Sequence, residues 1–85
     1  LVRVGKAEQF IKNISGVRQV RVRDHNGLAR IEVGVDERYH LLDIVLLDRI
    51  KKELKQLGFS FITFDLEGYR SGSMLMTVEN NEKSS

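Results

Sequence analysis

The chain has no cysteine, no proline and no apolar run long enough to cross a bilayer. Without cysteine there is no disulfide, no thiol nucleophile and no cysteine-ligated metal. That fits a reducing, cytoplasmic compartment. A membrane-spanning helix needs about 20 consecutive apolar residues, and neither such a run nor a secretory signal is visible. Excess charge is also small: 14 Lys and Arg against 12 Asp and Glu leave +2. This speaks against nucleic acid, whose non-specific binding draws on many Lys and Arg contacts to phosphate. The two histidines, His25 and His40, are not clustered as metal ligands. No Ser-His-Asp arrangement, P-loop or GxGxxG pattern is present.

What remains is ordinary for a globular domain: 41% hydrophobic and 31% charged residues. Eighty-five residues allow one domain at most, with a thin core. The chain starts at Leu1 rather than Met, which suggests a piece of a longer protein. Residues 1–76 read as the domain, and 77–85, ending "ENNEKSS", as a polar, disordered tail.

Val4, Ala7, Phe10, Ile11 and Ile14 recur at steps of three and four, which predicts a first helix over roughly residues 2–14, stopped by Gly16. In "VRQVRVRDHNGLARIEVGV" the apolar residues alternate, and Asn26-Gly27 is a strong hairpin signal. The second strand is expected from Leu28 to Val33. A second helix, capped by Asp36 and running to about Leu57, buries Leu47, Ile50, Leu54 and Leu57 and stops at Gly58. "FSFITFDL" is the third strand. The order α-β-β-α-β predicts an α+β fold. Strands two and three, joined by a helical crossover, are expected to be parallel. Strand one is expected between them, giving the order 2-1-3, with both helices on one face.

A two-residue turn sets the register: His25 opposite Leu28, Arg23 opposite Arg30, Arg21 opposite Glu32. Val20, Val22, Ile31 and Val33 then face the helices, and Arg21, Arg23, Arg30 and Glu32 share the other face. Arg23 against Arg30 is like charge opposite like charge, which destabilises a sheet. The surplus of guanidinium suits an anion. The plain alternative is a solvated face with Arg21 bridging Glu32. Ile62 and Phe64 take the helix side, so Thr63 and Asp65 join the arginines. Asp65 opens "DLEGYRSGSM", whose Gly68, Gly72 and serines offer backbone N–H and hydroxyl groups to an anion, with Arg70 adding charge. By itself this loop reads better as a surface turn, and Glu8 better as a solvated helix charge.

Three stretches carry a resemblance: "AEQFIKN" at 7–13, "QVRVRDHNGLARIEV" at 19–33 and "LKQLGFSFITFDLEGYRSGSM" at 54–74. Together they resemble the C-terminal part of the LarE-type ATP-dependent sacrificial sulfur transferases, within the PP-loop (adenine nucleotide alpha hydrolase-like) ATPases. The hairpin and the Gly-rich loop are the specific pieces. The resemblance implies an enzyme that activates the carboxylates of a pyridinium biscarboxylate mononucleotide with ATP and inserts sulfur, toward a nickel-pincer cofactor. It implies ATP and Mg bound by an N-terminal PP-loop domain outside this chain, so that this part is inactive alone. Its implied partners are that domain, the mononucleotide substrate and further copies in a homo-oligomer, with no nucleic acid and no membrane. Arg21 and Arg23 match the arginines implicated in holding a phosphate. Glu32 and Glu8 match acidic residues placed around the donor sulfur and are the catalytic candidates. Arg30, Asp65, Arg70, Ser71, Gly72 and Ser73 are expected to support them, and no metal ligand set is assigned to this chain. The competing expectation is a non-catalytic interaction or oligomerisation module that docks an acidic partner through the arginine face.

Overall fold

The computed structural model describes residues 2–69. Its elements are α1 (Val2–Ser15), β1 (Val20–His25), β2 (Leu28–Val33), a 3-10 helix (Val35–Leu41), α2 (Ile44–Gln56) and β3 (Phe61–Phe64). The α+β class holds, with both helices against one face of a three-stranded mixed sheet.

The apolar stripe of α1 becomes core, with Ala7 and Ile11 wholly buried. Asn26 and Gly27 both take positive φ, at 51° and 94°, as a two-residue hairpin turn demands. The Asp24 carboxylate accepts from the Gly27 N–H at 2.9 Å and braces the turn. The register is the expected one: His25 opposite Leu28, Arg23 opposite Arg30, Arg21 opposite Glu32. Val22, Ala29, Ile31 and Val33 point into the core with Ile50 and Leu54 of α2.

The strand order differs from expectation. β2, not β1, is central, antiparallel to β1 and parallel to β3. Burial explains the choice: four of the six β2 residues, Ala29, Ile31, Glu32 and Val33, are buried, whereas β1 buries only Val22. The most covered strand takes the middle, and the arginine-rich strand takes an edge, where charge discourages further pairing.

The second helix is also not continuous. Asp36 does not cap it; Glu37 turns inward and Leu41 is buried, so residues 35–41 wind as a separate 3-10 turn. Asp43 starts α2 instead, with its side chain accepting from Val45 N–H at 2.9 Å and Leu46 N–H at 3.3 Å, which is ordinary N-cap chemistry. β3 is shorter than the apolar run. Phe59 leaves the strand to fill the core, and the Arg3 guanidinium lies 4.6 Å above its ring.

Pairing then resumes beyond β3. Asp65 N–H donates to Ile31 O at 2.8 Å, residues 65–68 make a turn, and Tyr69 N–H donates to Val33 O at 2.5 Å. Tyr69 thereby bridges Gly34 in parallel. Gly68 permits this: its φ is +86°, and a Cβ there would lie 2.7 Å from the Val33 carbonyl oxygen. Its N–H donates to Asp65 O at 3.1 Å, so it closes the turn rather than facing an anion.

Candidate functional site

The face away from the helices carries the charged residues, and the structure divides them into two groups. In the first, Glu32 is only 5% exposed. Its Oε2 accepts from Arg30 Nε at 3.0 Å and lies 2.9 Å from Arg30 Nη2, while its Oε1 lies 3.6 Å from Arg23 Nε. The carboxylate therefore joins the two arginines that oppose each other across the hairpin. The plain expectation of an Arg21–Glu32 bridge is not what forms. Asp65 stands 4.0 Å from Arg30 Nε, as its place on this face required, and Thr63 donates to Ala29 O at 2.8 Å.

In the second group, Arg21 reaches across β2 to Tyr69. Its Nη2 donates to the Tyr69 hydroxyl at 3.1 Å, and the guanidinium carbon lies 4.9 Å from the ring centroid. No carboxylate pairs with Arg21 among the described residues. Beside it opens a cavity of about 230 Å³ lined by Lys12, Arg18, Gln19, Val20, Arg21 and Tyr69. "DLEGYRSGSM" thus serves this face through Gly68 and Tyr69: one lets the chain rejoin the sheet, the other holds an arginine.

Glu8 does not join Glu32. It projects from α1 to the open edge of β1 and accepts from the Val22 N–H at 2.9 Å. An edge strand with a free N–H invites pairing with another chain, and Glu8 occupies that donor. Arg70, Ser71, Gly72 and Ser73 lie outside the described residues.

Sequence reasoning missed Tyr69, Glu37, Lys12 and Arg18. Tyr69 stood inside the quoted loop, and aromatic next to arginine was its only signal. Glu37 lay in the segment read as the start of the second helix and gave no signal of its own. It is 7% exposed and gathers the backbone N–H groups of Arg18 and Gln19 at 2.9 and 3.2 Å. It fixes the loop that leads Arg18 into the cavity wall.

Two carboxylates are held below their ordinary range. For Glu37 the leading cause is the Arg18 backbone N–H, partly opposed by burial. For Asp24 it is the Gly27 backbone N–H, followed by the Arg3 side chain. Because both folded pKa values are depressed, their stabilisation is complete above the unfolded values of about 4 and is lost as pH falls through the lower folded values. Urea midpoints should therefore be flat near neutrality and fall below about pH 4. Glu37→Gln should lower the midpoint at pH 7 and shrink the acid-side drop. An unchanged acid-side drop in this variant would remove Glu37 from the account.

Among the described residues no group of three or more His, Cys, Asp or Glu converges as a metal site, and no helix is long and apolar enough to cross a membrane. No family model matches the chain. The chain is 40% identical over 78 residues to the pyridinium-3,5-bisthiocarboxylic acid mononucleotide synthase of Lactiplantibacillus plantarum, covering 92% of this chain and 27% of that protein. The chain is related to the LarE-type sulfur transferases. It is also 39% identical over 74 residues to an uncharacterised protein of Synechocystis sp., covering 87% of this chain and 27% of that one. The chain spans about a quarter of the length of both relatives. The resemblance read from the hairpin and the Gly-rich loop is borne out.

Proposed function

We propose that this chain is the C-terminal domain of an ATP-dependent PP-loop sulfur transferase acting on a pyridinium carboxylate mononucleotide, and that it is inactive alone. The observation that carries this is the 40% identity, over 92% of the chain, to a synthase of such a bisthiocarboxylic acid mononucleotide. In this reading Arg21 and Arg23 hold the substrate phosphate. Arg21 is pre-oriented by Tyr69. Arg23 spends one long contact on Glu32, and a guanidinium has five donors. Glu32 acts through the arginines by keeping Arg23 and Arg30 side by side. Glu8 acts through β1 by occupying its edge. ATP and Mg belong to the adjoining PP-loop domain, which would also supply the face opposite the arginines. Copies of the longer protein would assemble as a homo-oligomer.

A chimera tests this. This chain replaces the matching segment of the Lactiplantibacillus plantarum synthase, and sulfur transfer is assayed. The chimera should form product, and Arg21→Ala should reduce kcat/KM about tenfold, mostly through KM, as loss of one charge-assisted contact predicts. A folded chimera that makes no product would overturn the assignment. An active chimera indifferent to Arg21→Ala would remove the arginine from it.

A further inference from the structure

We infer that Lys12 and Arg18 complete the phosphate site together with Arg21, in the cavity at the start of β1; this rests on the mononucleotide reading above and adds two residues to it. Among the described residues the cavity wall holds three cations, Lys12, Arg18 and Arg21, and no carboxylate. Of the other arginines of the face, Arg30 meets Glu32 closely at 2.9 Å, while Arg23, next to Arg21 on that face of β1, keeps one contact to it at 3.6 Å and its remaining donors for the same phosphate. Among the described residues Lys12 and Arg21 have no carboxylate partner and Arg18 has only the 3.4 Å contact to Glu37, so weakly compensated positive charge is concentrated here.

Each cation has an ordinary explanation, and together those explanations fall short. Lys12 stands in the last turn of α1, where a cation complements the helix dipole. Arg18 approaches Glu37 at 3.4 Å, but its side chain is 82% exposed and that pair is loose. Arg21 is held by a tyrosine, which orients it without neutralising it. None of these requires the three to line one hollow, and like charges so placed repel unless an anion joins them.

Size and chemistry narrow the anion. About 230 Å³ is below the roughly 300–1,000 Å³ of pockets that enclose a whole small molecule. The hollow takes a headgroup and leaves the rest of the ligand outside. Two guanidiniums that bind oxygens in pairs and one compact ammonium match a dianionic phosphate monoester. A single carboxylate would leave two of the three cations unanswered. The hollow is thus the seat of the phosphoryl group, and the pyridinium ring with its carboxylates lies outside it, toward the adjoining domain.

The test is an NMR titration of the amide resonances of this chain with inorganic phosphate, and separately with nicotinate, at constant ionic strength. Phosphate should give saturable shifts centred on residues 18–21 and Tyr69. Lys12→Gln and Arg18→Gln should each raise its Kd about tenfold. Lys52→Gln, which removes the same charge from an exposed site on α2, should change it less than twofold. Phosphate affinity unaltered by Lys12→Gln and Arg18→Gln, no saturable shift at the cavity, or an equal effect of Lys52→Gln would each overturn the inference. Nicotinate binding there as tightly as phosphate would overturn the phosphate assignment. Any such failure alongside an active chimera leaves the mononucleotide reading standing, whereas an inactive chimera fails that reading itself.

Discussion

Gly68→Ala is expected to lower stability by about 3 kcal/mol, more than the same exchange at any other described glycine, since only here would the added Cβ lie under 3.0 Å from another atom. Two costs add. A residue with a Cβ in the left-handed region costs about 1–2 kcal/mol, and Gly68 has φ +86°. The new methyl would also lie 2.7 Å from the Val33 carbonyl oxygen and 3.4 Å from Val35 Cα. Those atoms are backbone of the central strand and its continuation, so they cannot step aside as a flexible side chain would. For a domain of 60–100 residues each kcal/mol shifts Tm by about 4–8 °C, so Tm should fall by roughly 12–24 °C. Gly16→Ala is the comparison. Its φ is +80°, but nothing lies within 4 Å of the added methyl, so it should show the backbone cost alone. Equal losses in thermal melts of the two variants would mean the close approach at Val33 contributes nothing. Gly68→Ala should also broaden or shift the Tyr69 ring resonances, since the residue that grips Arg21 follows directly.

Glu32→Gln is expected to cost about 2 kcal/mol, though the side chain changes by one atom type. Breaking a buried ion pair by removing one partner costs about 3–5 kcal/mol. Here Glu32 is buried, but its arginine partners are each 43% exposed, so solvent screening reduces the figure. The arrangement makes the loss larger than for a surface pair. Arg23 and Arg30 sit directly opposite each other, and Glu32 is the carboxylate nearest to both. Without its charge the two guanidiniums face one another across the hairpin, with Asp65 at 4.0 Å from Arg30 the closest remaining acid among the described residues. Urea denaturation in low and high salt checks the cause. Repulsion between two half-exposed cations is screened when the Debye length falls from about 10 Å at 0.1 M to 3 Å at 1 M. The deficit of Glu32→Gln should therefore shrink by about half in 1 M NaCl. A deficit independent of salt would point to lost hydrogen bonds rather than to the arginine pair.

Much of the scaffold was legible because it depends on short-range rules. Asn26-Gly27 dictates a two-residue turn, and that turn alone sets which residues oppose across six positions. The period of α1 and the stops at Gly16 and Gly58 follow from helix geometry and from φ. The break at residues 42–43 was not legible, because Asp36 and Asp43 are equally good caps in isolation. The choice falls to Asp43 once Glu37 is drawn inward by the N–H groups of Arg18 and Gln19, nearly twenty positions away.

The sequence by itself determined the α+β class, the hairpin register and the gathering of Arg21, Arg23, Arg30 and Glu32 on one face. These follow from alternation with a period of two and from a turn of known length. Only the tertiary structure decided that β2 is central, that Glu32 serves Arg23 and Arg30, and that Arg21 turns to Tyr69 beside Lys12 and Arg18. Register says which side chains share a face. Which of them meet depends on how the segment after β3 rejoins the sheet at Gly34, and on where α1 ends above it. Those placements come from burying Ile11, Leu41, Leu54 and Phe59 together, a condition on the whole chain that no local pattern contains.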